Sequence, residues 1–141
     1  MSTHPTLKDY IGIAPTSNLE LAKLIEKGLS THSLDLLKQR GLTAAEIAAT
    51  IISPRTLRRR EAHTGLLTWL ESERAVRMAS IVCLAELSFG NLEIALGWLR
   101  QTNDRLRCRT PLSMLRTDPG GCLIESMLSD IAAGDMCCER S

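Results

Sequence analysis

The chain has 141 residues and a formal net charge of +1. Leu contributes 23 of them and Ala 13, against two Val, two Trp, one Tyr and one Phe, so the residues that favour strands are scarce and an all-β fold gives way to an all-α one. Four rings (Tyr10, Trp69, Phe89, Trp98) are too few for a base-stacking RNA platform, and the near-zero charge excludes a uniformly basic or acidic binder.

Residues 1–16 read as a flexible polar lead with Pro5 and Pro15. Ser17-Asn18-Leu19-Glu20 fits a capping box and opens a helix to about Leu29, with Leu21, Leu24, Ile25 and Gly28 at helical spacing. A second helix covers Ser33 to Arg40 and stops at Gly41, a residue suited to a helix C-terminus. Thr43-Ala44-Ala45-Glu46 is a second capping box, opening a short helix to about Thr50. Ser53-Pro54 then supplies a cap and a first-turn proline for a helix to Ala62, because proline lacks the N–H that would go unpaired there.

Thr68-Trp69-Leu70-Glu71 opens a long helix to Phe89 that is apolar nearly all round from Ala75 to Leu87. Such a helix is buried, in a core or at a subunit interface. Gly90 ends it and Asn91 caps the next, whose stripe is Leu92, Ala95, Leu96 and Leu99. Residues 101–110 read as an arginine-bearing loop and Pro111 to Leu115 as a short helix. Asp118 is the expected cap of a last helix, with Pro119 behind it, Ile124, Met127, Leu128 and Ile131 on its apolar face, and Gly134 as its stop. The expected division is a lead (1–16), a helix-turn-helix bundle (17–66), a second helical domain (67–134) and a tail (135–141).

Segment sums resolve the charge. Residues 38–60 carry +5 and residues 100–116 carry +4, each flanked by acidic stretches. The first basic block falls on a helix-turn-helix layout, residues 43–61, which turns a solvated face into an electrostatic footprint for DNA. Ala48 permits close helix approach, and Ile47, Ile52 and Leu57 are the expected pins. With Leu57 inward, Arg55 and Arg59 each lie roughly 160° away on the outer face. They are the candidates for base edges, where a guanidinium pairs bidentately with guanine. Arg58, Thr56 and the helix N-terminus at Thr43 are the candidates for phosphates. Arg60 falls toward the inner face and is expected to pair within the domain. Ile51 stands where such turns commonly have glycine.

The C-terminal half carries a longer pattern: Gly90-Asn91, Ala95, Trp98-Leu99-Arg100, Asn103, Leu106, Arg109-Thr110-Pro111-Leu112, Leu115, Thr117-Asp118 and Gly121. This order resembles the toxin-binding domain of the Xre/MbcA/ParS antitoxins, the partners of RES-domain toxins, and the helix-turn-helix ahead of it resembles the Xre half of the same family. The likeness covers about residues 19–134. Doubled Gly120-Gly121, Cys108 before Arg109 and the Cys137-Cys138 tail depart from the pattern.

The resemblance implies a homodimeric antitoxin that binds and occludes a RES toxin, an NAD-depleting protein with an ADP-ribosyltransferase-like fold, and represses its own operon at operator DNA. It gives toxin binding and dimerisation to the second helical domain, residues 67–134. The implied toxin-binding residues are Trp98, Arg100, Asn103, Arg105 and Arg107, with Glu139, Arg140 and Ser141 of the tail. Helix angles leave Trp98 open as core or rim. Arg109, beside the Thr110-Pro111 helix start, is expected to anchor structure. The alternative reading is a stand-alone dimeric repressor without a toxin.

Neither an enzyme signature, a metal-ligand spacing nor a cofactor loop is present in the sequence. Five cysteines, an odd number, with no paired spacing lead to the expectation of free thiols in the cytoplasm. No apolar run reaches the roughly 18–20 residues of a membrane span, and no signal peptide is expected.

Overall fold

Local caps set the helix boundaries in the computed structural model, which describes residues 5–134. Eight α-helices follow in order: α1 (Leu7–Ile11), α2 (Asn18–Lys27), α3 (His32–Gln39), α4 (Ala44–Thr50), α5 (Pro54–Ala62), α6 (Trp69–Phe89), α7 (Leu92–Arg100) and α8 (Asp118–Ala132). Two 3₁₀ turns, Asp104–Leu106 and Leu112–Arg116, lie between α7 and α8. Extended pairing among the described residues is limited to the isolated bridges Ser30 to Leu66 and Asn103 to Arg109. The fold is all-α, with a helix-turn-helix part followed by a helical C-terminal part.

The described residues form two compact units: Thr6–Ala79, and Ser80 onward together with Pro5. The division between these units lies inside α6. The reason is that the first turns of α6 are tied to the N-terminal unit. Ser72 accepts a bond from the Leu29 N–H at 2.8 Å, and Glu71 holds Arg60.

Residues 1–16 are not uniformly a loose lead. Thr6 and Asp9 form a reciprocal cap for α1, Gly12 ends it in the left-handed region, and Tyr10 and Ile11 are buried. Ser33 Oγ donates to the Ile11 carbonyl at 3.0 Å, and the Arg40 guanidinium lies 4.7 Å from the Tyr10 ring centre. A five-residue helix is unstable alone. Burying Ile11 and Tyr10 against α3, each on the order of 2 kcal/mol, offsets its ordering cost.

Two boundaries differ from the periodicity. Gly28 ends α2 instead of continuing it, at φ 98°, because a side chain there would collide with the Leu67 carbonyl. The last helix is capped by Thr117, whose side chain accepts from the Gly120 N–H, and not by Asp118. Gly120 and Gly121 are both buried. A Cβ on Gly120 would overlap the Met114 carbonyl oxygen, so the first turn of α8 approaches the preceding 3₁₀ turn as only glycine allows.

In the C-terminal unit, Ala95, Leu96 and Leu99 of α7, Leu106, Leu112 and Leu115 of the connecting segment, and Ile124, Met127 and Leu128 of α8 are buried. Ser88 Oγ donates to the Leu128 carbonyl at 3.3 Å. No single helix among the described residues is long and apolar enough to cross a membrane.

Candidate functional site

The helix-turn-helix is built from two capped helices and a glycine-free turn. Thr43 Oγ1 accepts from the Glu46 N–H at 3.1 Å, and Glu46 Oε1 accepts from the Thr43 N–H at 2.9 Å. This box engages the Thr43 N–H and sets a carboxylate at the start of α4. Ile51 closes α4 at φ −111°, so the turn needs no left-handed residue. Ile51 and Ile52 are both buried, and their N–H groups reach the Ile47 carbonyl at 2.8 and 3.2 Å. The turn is fixed by burial and these bonds where glycine would fix it by conformational freedom.

Ser53 caps α5 by accepting from the Thr56 N–H, and its hydroxyl bonds Thr56 Oγ1 at 2.9 Å. Along α5, Arg55, Arg58 and Arg59 are exposed, while Thr56, Leu57 and Arg60 are half-buried. Leu57 is thus a partial pin; no residue of α5 is fully buried. What holds the helix is Arg60. Its Nε and a terminal guanidinium nitrogen meet the two Glu71 carboxylate oxygens at 3.1 and 3.0 Å, a bidentate pair with both geometric and electrostatic specificity. Glu71 also accepts from the Thr68 N–H at 2.9 Å, so one carboxylate starts α6 and clamps α5. Burial by itself pushes the Glu71 carboxyl up, but the bonds from Arg60 and from the Thr68 backbone outweigh it and hold it below its ordinary range.

In the C-terminal unit the expected partner-binding residues fall into two places. Trp98 is half-buried on α7, its ring centre 5.7 Å from that of Phe89 at 45°. One face of the ring is packed and the side chain stays partly open to solvent. Arg100 joins Phe89, Ile94, Gly97, Trp98 and Gln101 around an open concavity of about 560 Å³. Asn103, Arg105 and Arg107 lie in the following loop. Asn103 is structural there: its Oδ1 accepts from the Arg105 N–H at 2.9 Å, its own N–H reaches the Arg109 carbonyl and its carbonyl accepts from Cys108. That closure holds Arg107 at φ 56° and Cys108 at φ 64°, two consecutive left-handed residues that are not glycine. Arg105 and Arg107 are exposed. Arg109 lies with Ser113, Met114, Arg116 and Thr117 around a smaller cleft of about 210 Å³. Glu139, Arg140 and Ser141 lie outside the described residues.

These two halves correspond to two known protein families. Residues 20–80 match the antitoxin Xre-like helix-turn-helix domain, and residues 84–134 match the antitoxin Xre/MbcA/ParS C-terminal toxin-binding domain. An Antitoxin Xre of Pseudomonas putida is 36% identical over 118 residues, 84% of this chain and 74% of that protein. An Antitoxin Xre of Yersinia enterocolitica is 30% identical over 127 residues, 88% of this chain and 86% of that protein. The chain belongs to the Xre-type antitoxins.

This antitoxin thus pairs a DNA-binding helix-turn-helix with a toxin-binding domain. Several residues around its candidate surfaces are not evident from sequence alone. Glu71 is one; its capping role is legible, but its pairing with Arg60 is a through-space contact across eleven positions. Ile94 and Gly97 are others. Their signal was present as a second stripe on α7, hidden by the more regular one that forms the core.

Proposed function

We propose that this chain is the antitoxin of a RES-domain toxin, which it binds and whose active site it occludes, and that as a homodimer in the cytoplasm it represses its own operon. The observation that carries the reading is the tandem match: a helix-turn-helix over residues 20–80 and a toxin-binding domain over residues 84–134 in one chain. The description of the second domain as toxin-binding favours this reading over a dimeric repressor acting without a toxin.

Arg55 and Arg59 read base edges in this proposal, and Arg58, Thr56 and Thr43 position the phosphates. The exposure of Arg55, Arg58 and Arg59 beside a clamped Arg60 supports that division. Trp98, Arg100, Arg105 and Arg107 contact the toxin, Asn103 shapes the loop that presents them, and the tail with Glu139, Arg140 and Ser141 reaches into the toxin's NAD site. Guanidinium forks suit carboxylates at such an interface. Exposed Leu87 and Leu123 in the C-terminal unit support a second copy as cover for apolar surface. The antitoxin acts by binding, without a reaction of its own.

Co-expression with a RES-domain toxin tests this. The pair should co-purify, and NAD depletion by the toxin should stop. Deleting residues 135–141 should leave the chain a homodimer and restore toxin activity. Full neutralisation by the truncated chain would move occlusion to residues before Asp135, and no association at all would leave the repressor reading.

A further inference from the structure

Helix α7 is apolar on two opposite sides. Ala95, Leu96 and Leu99 are buried and form its core stripe. Ile94, Gly97 and Trp98 stand at i, i+3 and i+4 on a side of α7 roughly 150° from the first, and Gln101 follows as its extended C-cap. Along it Ile94 is 57% exposed, and Trp98 leans on Phe89 with one face. An apolar pair left open opposite the core stripe is surface on which a partner can close.

Gly97 sharpens this. It is helical, lies inside α7 and has no positive φ. A Cβ built on it would meet no atom within 4 Å. The fold therefore does not require glycine here, although a mid-helix glycine is unfavourable relative to alanine. The missing side chain makes the floor of the concavity bounded by Phe89, Ile94, Trp98, Arg100 and Gln101.

We infer that this groove is the seat for an apolar side chain of the toxin, inserted over Gly97 between Ile94 and Trp98, with a toxin carboxylate beside Arg100. The inference rests on the toxin-binding reading above and names the place and chemistry of the contact. The groove lies wholly within residues 84–134, the span that matches the toxin-binding family. A second copy of the chain fits it less well. At a two-fold axis a patch meets itself, so a groove centred there would face its own hollow with two Arg100 guanidiniums brought together against their repulsion. A protruding apolar residue with a neighbouring acid complements both the hollow and the charge.

The test fills the hollow without touching the core. Full-length wild type, Gly97→Met and Gly97→Ala are compared for melting temperature, free mass and affinity for a RES-domain toxin. Gly97→Met should melt no lower than wild type, keep its free mass and bind the toxin at least tenfold more weakly. Gly97→Ala should fall between the two in affinity. Toxin binding by Gly97→Met as tight as wild type overturns the groove while the toxin-binding reading stands. A lost dimer in the free Gly97→Met protein overturns it in favour of a second copy. Absence of toxin binding by the wild type overturns the underlying reading and the groove with it. Ile94→Asp, a surface change that adds a charge where Arg100 attracts one, is the second variant and should also weaken capture.

Discussion

Arg107→Gly and Cys108→Gly should each raise stability, and only the first should weaken function. Their φ angles of 56° and 64° put each Cβ against the following carbonyl, which costs roughly 1–2 kcal/mol per L-residue. Replacing either by glycine removes that strain but gives the unfolded chain more freedom, worth about 0.5–1 kcal/mol. The net gain is about 0.5–1 kcal/mol per position. Both side chains are exposed, and the Cys108 thiol makes a long 3.9 Å contact to Asp104 Oδ1, so little packing is lost. The backbone bonds that close the loop, Arg107 N–H to the Asp104 carbonyl and Cys108 N–H to the Asn103 carbonyl, both at 3.0 Å, survive either change. For a chain of this size each kcal/mol moves the melting temperature by about 3–4 °C. Thermal unfolding followed by circular dichroism should show Arg107→Gly and Cys108→Gly each melting higher by about 2–4 °C. Toxin affinity should then separate them: weaker for Arg107→Gly, which loses a guanidinium, and unchanged for Cys108→Gly. A lower melting temperature in either variant would refute the reasoning, because the side chain would then contribute more than its backbone strain removes.

Gly120→Ala should destabilise by at least about 2 kcal/mol in denaturant titration, since its Cβ overlaps backbone that has no rotamer to change; a neutral result would mean that the α8 start can shift. Arg55→Ala or Arg59→Ala should weaken operator binding by about 1–3 kcal/mol and relax base preference at one position. Arg58→Ala should weaken operator and random DNA alike and lower the salt slope by about 1; equal behaviour of all three would reassign them to phosphates. The Glu71 carboxyl lies below its ordinary value of 4.5, so its ion pair adds stability that is fully present above that value and is lost as pH falls through the lowered one. Glu71→Gln should narrow the stability gap to wild type in acid and widen it toward neutrality, read by urea melts at several pH values, and a gap independent of pH would detach Glu71 from Arg60.

Most helix starts were legible because caps are local. Thr43 with Glu46, Ser53 with Pro54, and Thr68 with Glu71 each satisfy end groups within one turn, and residue type at fixed spacing is enough to see that. The α1 helix escaped because five residues show no period, although Thr6 and Asp9 carried the same cap signal. Gly28 looked helical because spacing cannot register the Leu67 carbonyl folded back against it. Left-handed Arg107 and Cys108 were invisible for a related reason. Neither residue favours that region, and it is the Asn103 to Arg109 closure that imposes it. In the candidate sites, outward Arg55 and Arg59 followed from helix angle alone, but the partner of Arg60 did not, because eleven residues and a turn separate it from Glu71.

That pair explains how a recognition helix with no fully buried residue holds its direction. Three arginines follow one another from Arg58, and their roles are set by what faces each one. Arg60 is turned toward Glu71 and engaged by both carboxylate oxygens, so its charge is neutralised within the unit. Arg58 and Arg59 stay in solvent. The clamp thereby fixes the rotation of α5 about its axis, which buried side chains would do in a more apolar helix, and it does so without removing charge from the outer face. A near-neutral chain can present a basic reading face in this way because its acidic residues are placed behind that face or elsewhere in the sequence. The same logic governs α7, where the core stripe anchors the helix and leaves the opposite stripe of Ile94, Gly97 and Trp98 for a partner. In each unit one side of a helix is bound to the fold, and the other is the side proposed for recognition.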